Sequence, residues 1–172
     1  MMPLGVTPYE AGRSGSVGGA LLRAGTVMRL NRFSDYGLRA LLYLGIHRKR
    51  RVTTEELATA YGISKSHLQK IVRRLGAAGF VVLHRGRDGG LELDMEPERI
   101  KIGEVMRVLE SETPLVECFD EERNQCIIAP SCGLKGPLAR AEAAFFAELD
   151  RVTLADVLGD RRRTQLRALL DG

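Results

Sequence analysis

TTEELATAYGISKSHLQKIVRRLGAAGFVVLHRGRDGGLEL, residues 53–93, decides the fold. Thr53-Thr54-Glu55-Glu56 reads as a capping box, in which Thr53 and Glu56 each satisfy a backbone donor of the other. The helix it opens stops at Gly62, where a left-handed cap needs a residue without Cβ. Ser64 caps a second helix with Leu68, Ile71, Val72 and Leu75 on one side, while Ser66, Gln69, Lys70 and Arg73 point the other way. Gly79 ends it. The hydrophobic period then changes to that of a strand: Phe80–His84 and Leu91–Leu93 are two short strands around the glycine-rich Arg85–Gly90 turn. Ala58 allows close helix approach, Gly62 makes the turn, and Leu68 and Ile71 anchor the second helix on the first, which is a helix-turn-helix pattern. The hairpin with its basic tip makes it a winged version.

Working outward, Ser34 is expected to cap a preceding helix, with Asp35 in its first turn and Leu38, Leu41, Leu42 and Ile46 inward. The basic run Arg48–Arg51 follows its C-terminal end. Residues 1–27, rich in Gly, Ser and Ala, read as a disordered extension, and Met28 is a candidate start. Beyond the wing, a short helix spans about 101–110, and residues 111–136 form a loop broken by Pro114, Pro130 and Gly133. Pro137 opens a helix with Leu138, Ala141, Phe145, Leu149 and Val152 on one stripe. That stripe calls for a second copy of the chain or, alternatively, for its own domain. The expected class is mainly α with a small β-wing. A winged helix-turn-helix domain covers 28–110, a cysteine-containing loop 111–136, a dimerisation helix and short terminal helix 137–160, and a flexible polar tail 161–172.

The 172 residues, 44% of them apolar, suffice for one core. No apolar run approaches the length of a membrane span, so an integral membrane protein is excluded. Three cysteines without a secretory signal point to a reducing, cytoplasmic compartment. The net charge of +4 conceals a division: residues 28–87 hold 13 basic and 3 acidic side chains, and residues 88–150 hold 6 and 15. A basic module followed by an acidic one implies a polyanion partner for the first.

Double-stranded DNA is that partner. A recognition helix fits the major groove with its N-terminal residues against base edges. Gln69 suits adenine, and Lys70 or Arg73 suits guanine or phosphate, with Ser66 beside them. Ser64 and Lys65 stand at the helix N-terminus, where phosphate is favoured. Arg85 and Arg87 on the wing would reach the minor groove or backbone. The alternative is a winged helix used for protein contacts with a merely solvated basic face. His47, His67 and His84 share no motif with the cysteines and are read as solvent-facing or phosphate-contacting.

Cys118, Cys126 and Cys132 lie close enough on one loop to converge on a soft metal centre. By themselves they leave an iron–sulfur cluster, a zinc site and redox-active thiols open. A closed zinc site wants a fourth Cys or His, and residues 88–172 contain no histidine. With no histidine near a cysteine and no phosphate-cradling loop, an enzyme is not expected.

Five stretches, MRLNRFSDYGLRAL (28–41), HRGRDGG (84–90), PLVEC (114–118), CIIAPSCGLKGPL (126–138) and LDRVTLADVL (149–158), resemble the iron–sulfur winged-helix regulators of the IscR/NsrR family. The resemblance implies a homodimeric repressor with a cluster on Cys118, Cys126 and Cys132, of 4Fe–4S type ahead of 2Fe–2S. It is nearest the nitric-oxide-sensing branch. The IscR type carries a histidine ligand where this chain has Lys135, and the iron-responsive RirA type usually lacks an aspartate at the position of Asp35. In the nitric-oxide-sensing branch that aspartate is the fourth ligand, reaching across the dimer. Read from the residues alone, Asp35 instead suits the helix dipole and pairs with Arg39; Glu117 and Asp120 are solvated, minor rivals as oxygen donors. An iron-responsive or cluster-status regulator of the same family, or a zinc or thiol-redox repressor, is the alternative.

Overall fold

A computed structural model describes residues 30–86, 89–111 and 114–170. The expected disordered extension, the candidate start at Met28 and the wing residue Arg87 lie outside the described residues.

Seven α-helices and one two-stranded sheet are described: α1 (Arg32–Ile46), α2 (Thr54–Tyr61), α3 (Lys65–Ala77), β1 (Val81–His84), β2 (Gly90–Leu93), α4 (Ile102–Glu110), α5 (Lys135–Leu149), α6 (Leu154–Leu158) and α7 (Asp160–Leu170). Among these residues the fold is mainly helical with a small β-wing, as the periodicity implied.

The expected start of α1 at Ser34 is three residues late. Asn31 is the N-cap, its Oδ1 accepting from the Ser34 amide at 2.9 Å, and Ser34 is buried within the first turn. Asp35 does sit in that turn. The box at Thr53 is half made. Thr53 Oγ1 accepts from the Glu56 amide at 3.1 Å, but the Glu56 carboxylate turns to Arg50 and Tyr43. Gly62 adopts φ 62° and ends α2, so any L side chain there would be strained. Leu68, Ile71, Val72 and Leu75 of α3 are buried on the predicted face.

β1 and β2 pair antiparallel, with Val81 opposite Leu93 and His84 opposite Gly90. Val52 bridges Leu91 from the other side of β2, so the chain entering α2 is stitched to the wing. A Cβ at Gly76 would lie 2.3 Å from Leu83 Cδ1, which shows how closely β1 lies against the end of α3.

One core gathers Leu41 and Leu44 of α1, Leu57 of α2, Leu68 and Leu75 of α3, and Val105 and Met106 of α4. Each such side chain contributes about 1.5–3 kcal/mol by leaving water. Leu154 and Leu158 of α6 join it and lie over α1, where a Cβ at Gly45 would meet Leu158 Cδ1 at 2.5 Å. The C-terminal end of the chain therefore completes the N-terminal core.

Three further expectations change. α5 starts at Lys135, two residues before Pro137. Of its predicted stripe, Ala141 is exposed and Leu138 and Phe145 are half-buried, while the residues packed on the core are Phe146, Leu149 and, just beyond the helix, Val152. Residues 161–170 of the expected flexible tail belong to α7, whose Leu166 and Leu170 pack on the core and whose Arg167 donates to the Ile46 carbonyl at 2.6 Å. Among the described residues no helix is long and apolar enough to cross a membrane.

Candidate nucleic-acid interface and cysteine loop

Ser64 caps α3 by accepting from the His67 amide at 3.4 Å, so the first turn of the helix starts at the protein surface. Ser64, Lys65, Ser66, Gln69, Lys70 and Arg73 are all exposed, as is Arg85 on the wing. Lys65, Gln69, Arg73 and Arg85 share the lining of one open groove of about 620 Å³ between α3 and the wing. Ser64, Ser66 and Lys70 stand on the exposed surface of α3 without lining it. Thr53 and Thr54 also line the groove. The sequence signal for them was the helix start itself, whose free backbone donors face an anion as readily as those of α3. Lys65 forms an ion pair with Glu55, so its charge is shared before any phosphate arrives.

Of the three histidines, His84 lines this groove, whereas His47 and His67 do not. His47 is buried and stacked on Tyr43, with ring centroids 4.3 Å apart. His67 is half-buried against Tyr36 and Phe33, at 5.4 and 6.0 Å. His84 Nε2 lies 2.6 Å from Glu92 Oε1 across the hairpin. His47 and His67 are fittings of the core, and the expectation of solvent or phosphate contact is corrected for those two; His84 stays in the groove lining, paired with Glu92.

Below α2, Arg50 and Tyr43 both bond to Glu56, at 3.0 Å from Arg50 Nη1 to Oε2 and 2.9 Å from Tyr43 Oη to Oε1. The Arg50 hydrogen bond holds the Glu56 carboxyl below the usual carboxylate range against the opposing effect of burial. Burial and the neighbouring carboxylate push Tyr43 up to about 12. The network fixes the segment that leads from α1 into α2.

The cysteine loop is built differently. Cys118 lies in one short 3-10 turn (Glu117–Phe119) and Cys132 directly follows another (Ala129–Ser131). Glu117 and Asp120 are not simply solvated. Glu117 Oε1 accepts from the Gln125 amide at 2.6 Å, and Asp120 Oδ1 accepts from the amides of Glu122 and Arg123, both at 3.1 Å. Asn124 Oδ1 accepts from the Cys126 amide at 3.0 Å. Local side-chain-to-backbone bonds thus shape the loop where no core does. Ile127 is 94% exposed, with Ile128 and Leu134 also exposed nearby.

All three thiols are free and half-buried. Among the described residues no three Cys, His, Asp or Glu side chains converge tightly enough to hold a metal ion. The donor chemistry nevertheless fits an iron–sulfur centre: three unpaired sulfurs on one irregular loop, without a histidine to favour zinc. Asp35 is held within its own helix. It binds Arg39 in a two-pronged pair, 3.0 Å from Nε to Oδ1 and 2.7 Å from Nη2 to Oδ2, one helical turn along α1.

The root of the loop, in contrast, is tied to the DNA-reading half. Asn31 Nδ2 donates to Glu110 Oε2 at 2.7 Å. Arg74 of α3 reaches the last turn of α4 at Val108 and Ser111. On the other flank, Arg107 lies over the Phe146 ring at 4.8 Å and pairs with Asp150 at 2.6 Å, fastening α5 to α4.

Residues 30–160 match the family model Rrf2, described as an iron-dependent transcriptional regulator. The chain is 44% identical over 135 residues, 78% of its length, to the HTH-type transcriptional regulator NsrR of Bacillus subtilis, of which the match covers 92%. Among solved structures it is similar to T. potens IscR, with a TM-score of 0.63, 27% identity, and coverage of 81% of this chain and 92% of that one. It is also similar to CymR, the global cysteine regulator of B. subtilis, with a TM-score of 0.59, 28% identity, and coverage of 76% and 96%.

Proposed function

The chain belongs to the Rrf2 family of transcriptional regulators, and on that premise we propose that it is a nitric-oxide-responsive repressor that binds operator DNA as a homodimer. It is a regulator and not an enzyme. The proposed ligands of an iron–sulfur cluster are Cys118, Cys126 and Cys132, with Asp35 of the partner subunit as the fourth. When bound, such a cluster, 4Fe–4S ahead of 2Fe–2S, supplies iron that nitric oxide can ligate.

The chain's own residues divide the work. Gln69, Lys70 and Arg73 read base edges, with Ser66 beside them, and Ser64, Lys65, Arg85 and Arg87 hold the phosphate backbone. The outward side of α5 faces the second copy, which sets the two recognition helices about one DNA turn, roughly 34 Å, apart. The three thiolates would hold the cluster and so order a loop that has no core of its own, and Asp35, paired with Arg39 within its own chain, would supply the fourth donor to the neighbouring subunit's centre. Release of these ligands frees the loop and with it the spacing of the two half-sites. Losing one half-site costs several kcal/mol, enough to empty an operator.

The observation that carries this reading is the loop of three free, half-buried thiols standing on the same core as an exposed basic recognition helix. The test is an anaerobic titration with nitric oxide in which visible absorbance and occupancy of promoter DNA are followed together. Both should fall in parallel. Oxygen-free protein that contains no iron or sulfide and cannot be reconstituted, or occupancy indifferent to nitric oxide, would overturn it.

A further inference from the structure

The last turn of a helix leaves backbone carbonyls without intrahelical partners, and their capping often falls to a cation from elsewhere in the chain. At the end of α4 that cation is Arg74, which belongs to the recognition helix. Its Nη1 donates to the Val108 carbonyl at 3.4 Å and to Ser111 Oγ at 3.1 Å. Ser111 Oγ in turn donates to the same Val108 carbonyl at 3.1 Å. The guanidinium also lies over the Phe33 ring of α1, 5.5 Å from its centroid.

Two features make this more than a surface contact. Arg74 directly follows Arg73, which lines the groove between α3 and the wing, so rotation of α3 moves both. Ser111 closes α4 a few residues before Cys118, so it is the root of the cysteine loop. The seam around it is open to solvent. A shallow surface depression of about 390 Å³ is lined by Arg74, Ala77, Ala78 and Ser111, and an open groove of about 630 Å³ by Ser111, Pro114, Phe119 and Phe146. Ser111 lines both, so no packed side chains enclose it on either side.

We propose that Arg74 is the positioning residue through which the root of the cysteine loop sets the orientation of the recognition helix. An ordered loop keeps Val108 and Ser111 where Arg74 can cap them, and α3 is held at one angle. A displaced loop root withdraws the cap, and α3 loses one of its fixed points on the rest of the fold. Coupling is reciprocal, so DNA bound to α3 must in turn order the loop root. The proposal rests on the DNA-binding reading above.

The experiment uses anaerobically purified full-length protein and a duplex selected by it from a random-sequence pool. Amide hydrogen exchange of residues 108–119 is measured with and without saturating duplex, for the wild type, Arg74→Lys and Ser111→Ala. In the wild type the duplex should slow exchange there by about fivefold or more, the lower end of ordinary allosteric coupling. In both variants that ratio should fall towards one, with thermal melting unchanged for Ser111→Ala. Equal protection in wild type and variants, or a wild type that binds duplex without any change at 108–119, overturns the relay and leaves the DNA-binding reading standing. A wild type that selects no duplex at all overturns both.

Discussion

Every described buried side chain lies either at or before Leu109 or at Leu154 and Leu158; among the described residues from Glu110 to Thr153 none is buried. The first region holds its shape by excluding water from leucines and isoleucines and by capping its helices with Asn31, Thr53 and Ser64. The second holds its shape by carboxylates bonded to nearby amides, by half-buried Phe146, Leu149 and Val152 packed on the core, and by contacts from the first region such as Arg107 to Phe146 and Asp150. The difference teaches that the DNA-reading half, once closed by Leu154 and Leu158, has a water-excluding core, whereas the cysteine region contributes no buried side chain to it. Low local stability is where switching elements are drawn from.

If the two regions are so divided, damage to one should spare the other. The largest effect expected is from Cys126→Ala, which should remove all bound iron and sulfide and the visible absorbance, yet leave the melting temperature of the cluster-free chain unchanged. Retained absorbance would remove Cys126 from the ligand set, and a collapsed melt would show that the loop supports the core after all. Arg73→Ala should do the converse, weakening operator binding by about 1–3 kcal/mol without bleaching the protein. Unchanged affinity would move the reading surface off α3.

The smallest effect sharpens the comparison from inside the first region. The Glu56 carboxyl is held below its ordinary value of 4.5, chiefly by the hydrogen bond from Arg50. Its contribution is therefore complete above that value and lost as the pH falls through the lower folded value. Acid titration of melting should show this loss, worth about 1 kcal/mol or less for so accessible a pair, and Glu56→Gln should flatten it. A slope that survives the substitution would place the acid sensitivity elsewhere.

Much of the reading half was legible because it depends on local rules. Gly62 could be placed from the turn it makes, and the inward face of α3 from the spacing of Leu68, Ile71, Val72 and Leu75. Features set by distant partners were not. Asn31 and Ser34 are both good caps three residues apart, and the bond from Asn31 to Glu110 accompanies the earlier choice. Phe145 and Phe146 differ by one helical step, and the place of Arg107 on α4 decides which packs inward. α7 has a mostly polar sequence with few apolar anchors, so nothing local announced that Arg167 would cap Ile46. For the site, the exposed recognition face follows from one helix's geometry. The three thiols sit on an irregular loop held by local bonds and do not converge among the described residues, and their spacing along the chain does not encode that arrangement.

The seat of the wing on the recognition helix has a last consequence. At Gly76 the helix offers no side chain at all, and Leu83 of the hairpin occupies the vacant volume, with the Val81 carbonyl 3.2 Å from where a methyl would stand. Even one carbon atom there would act as a shim, pushing the exposed end of Leu83 aside and pressing on the Val81 carbonyl. The closeness of hairpin to helix is thus written in an atom the protein does not have.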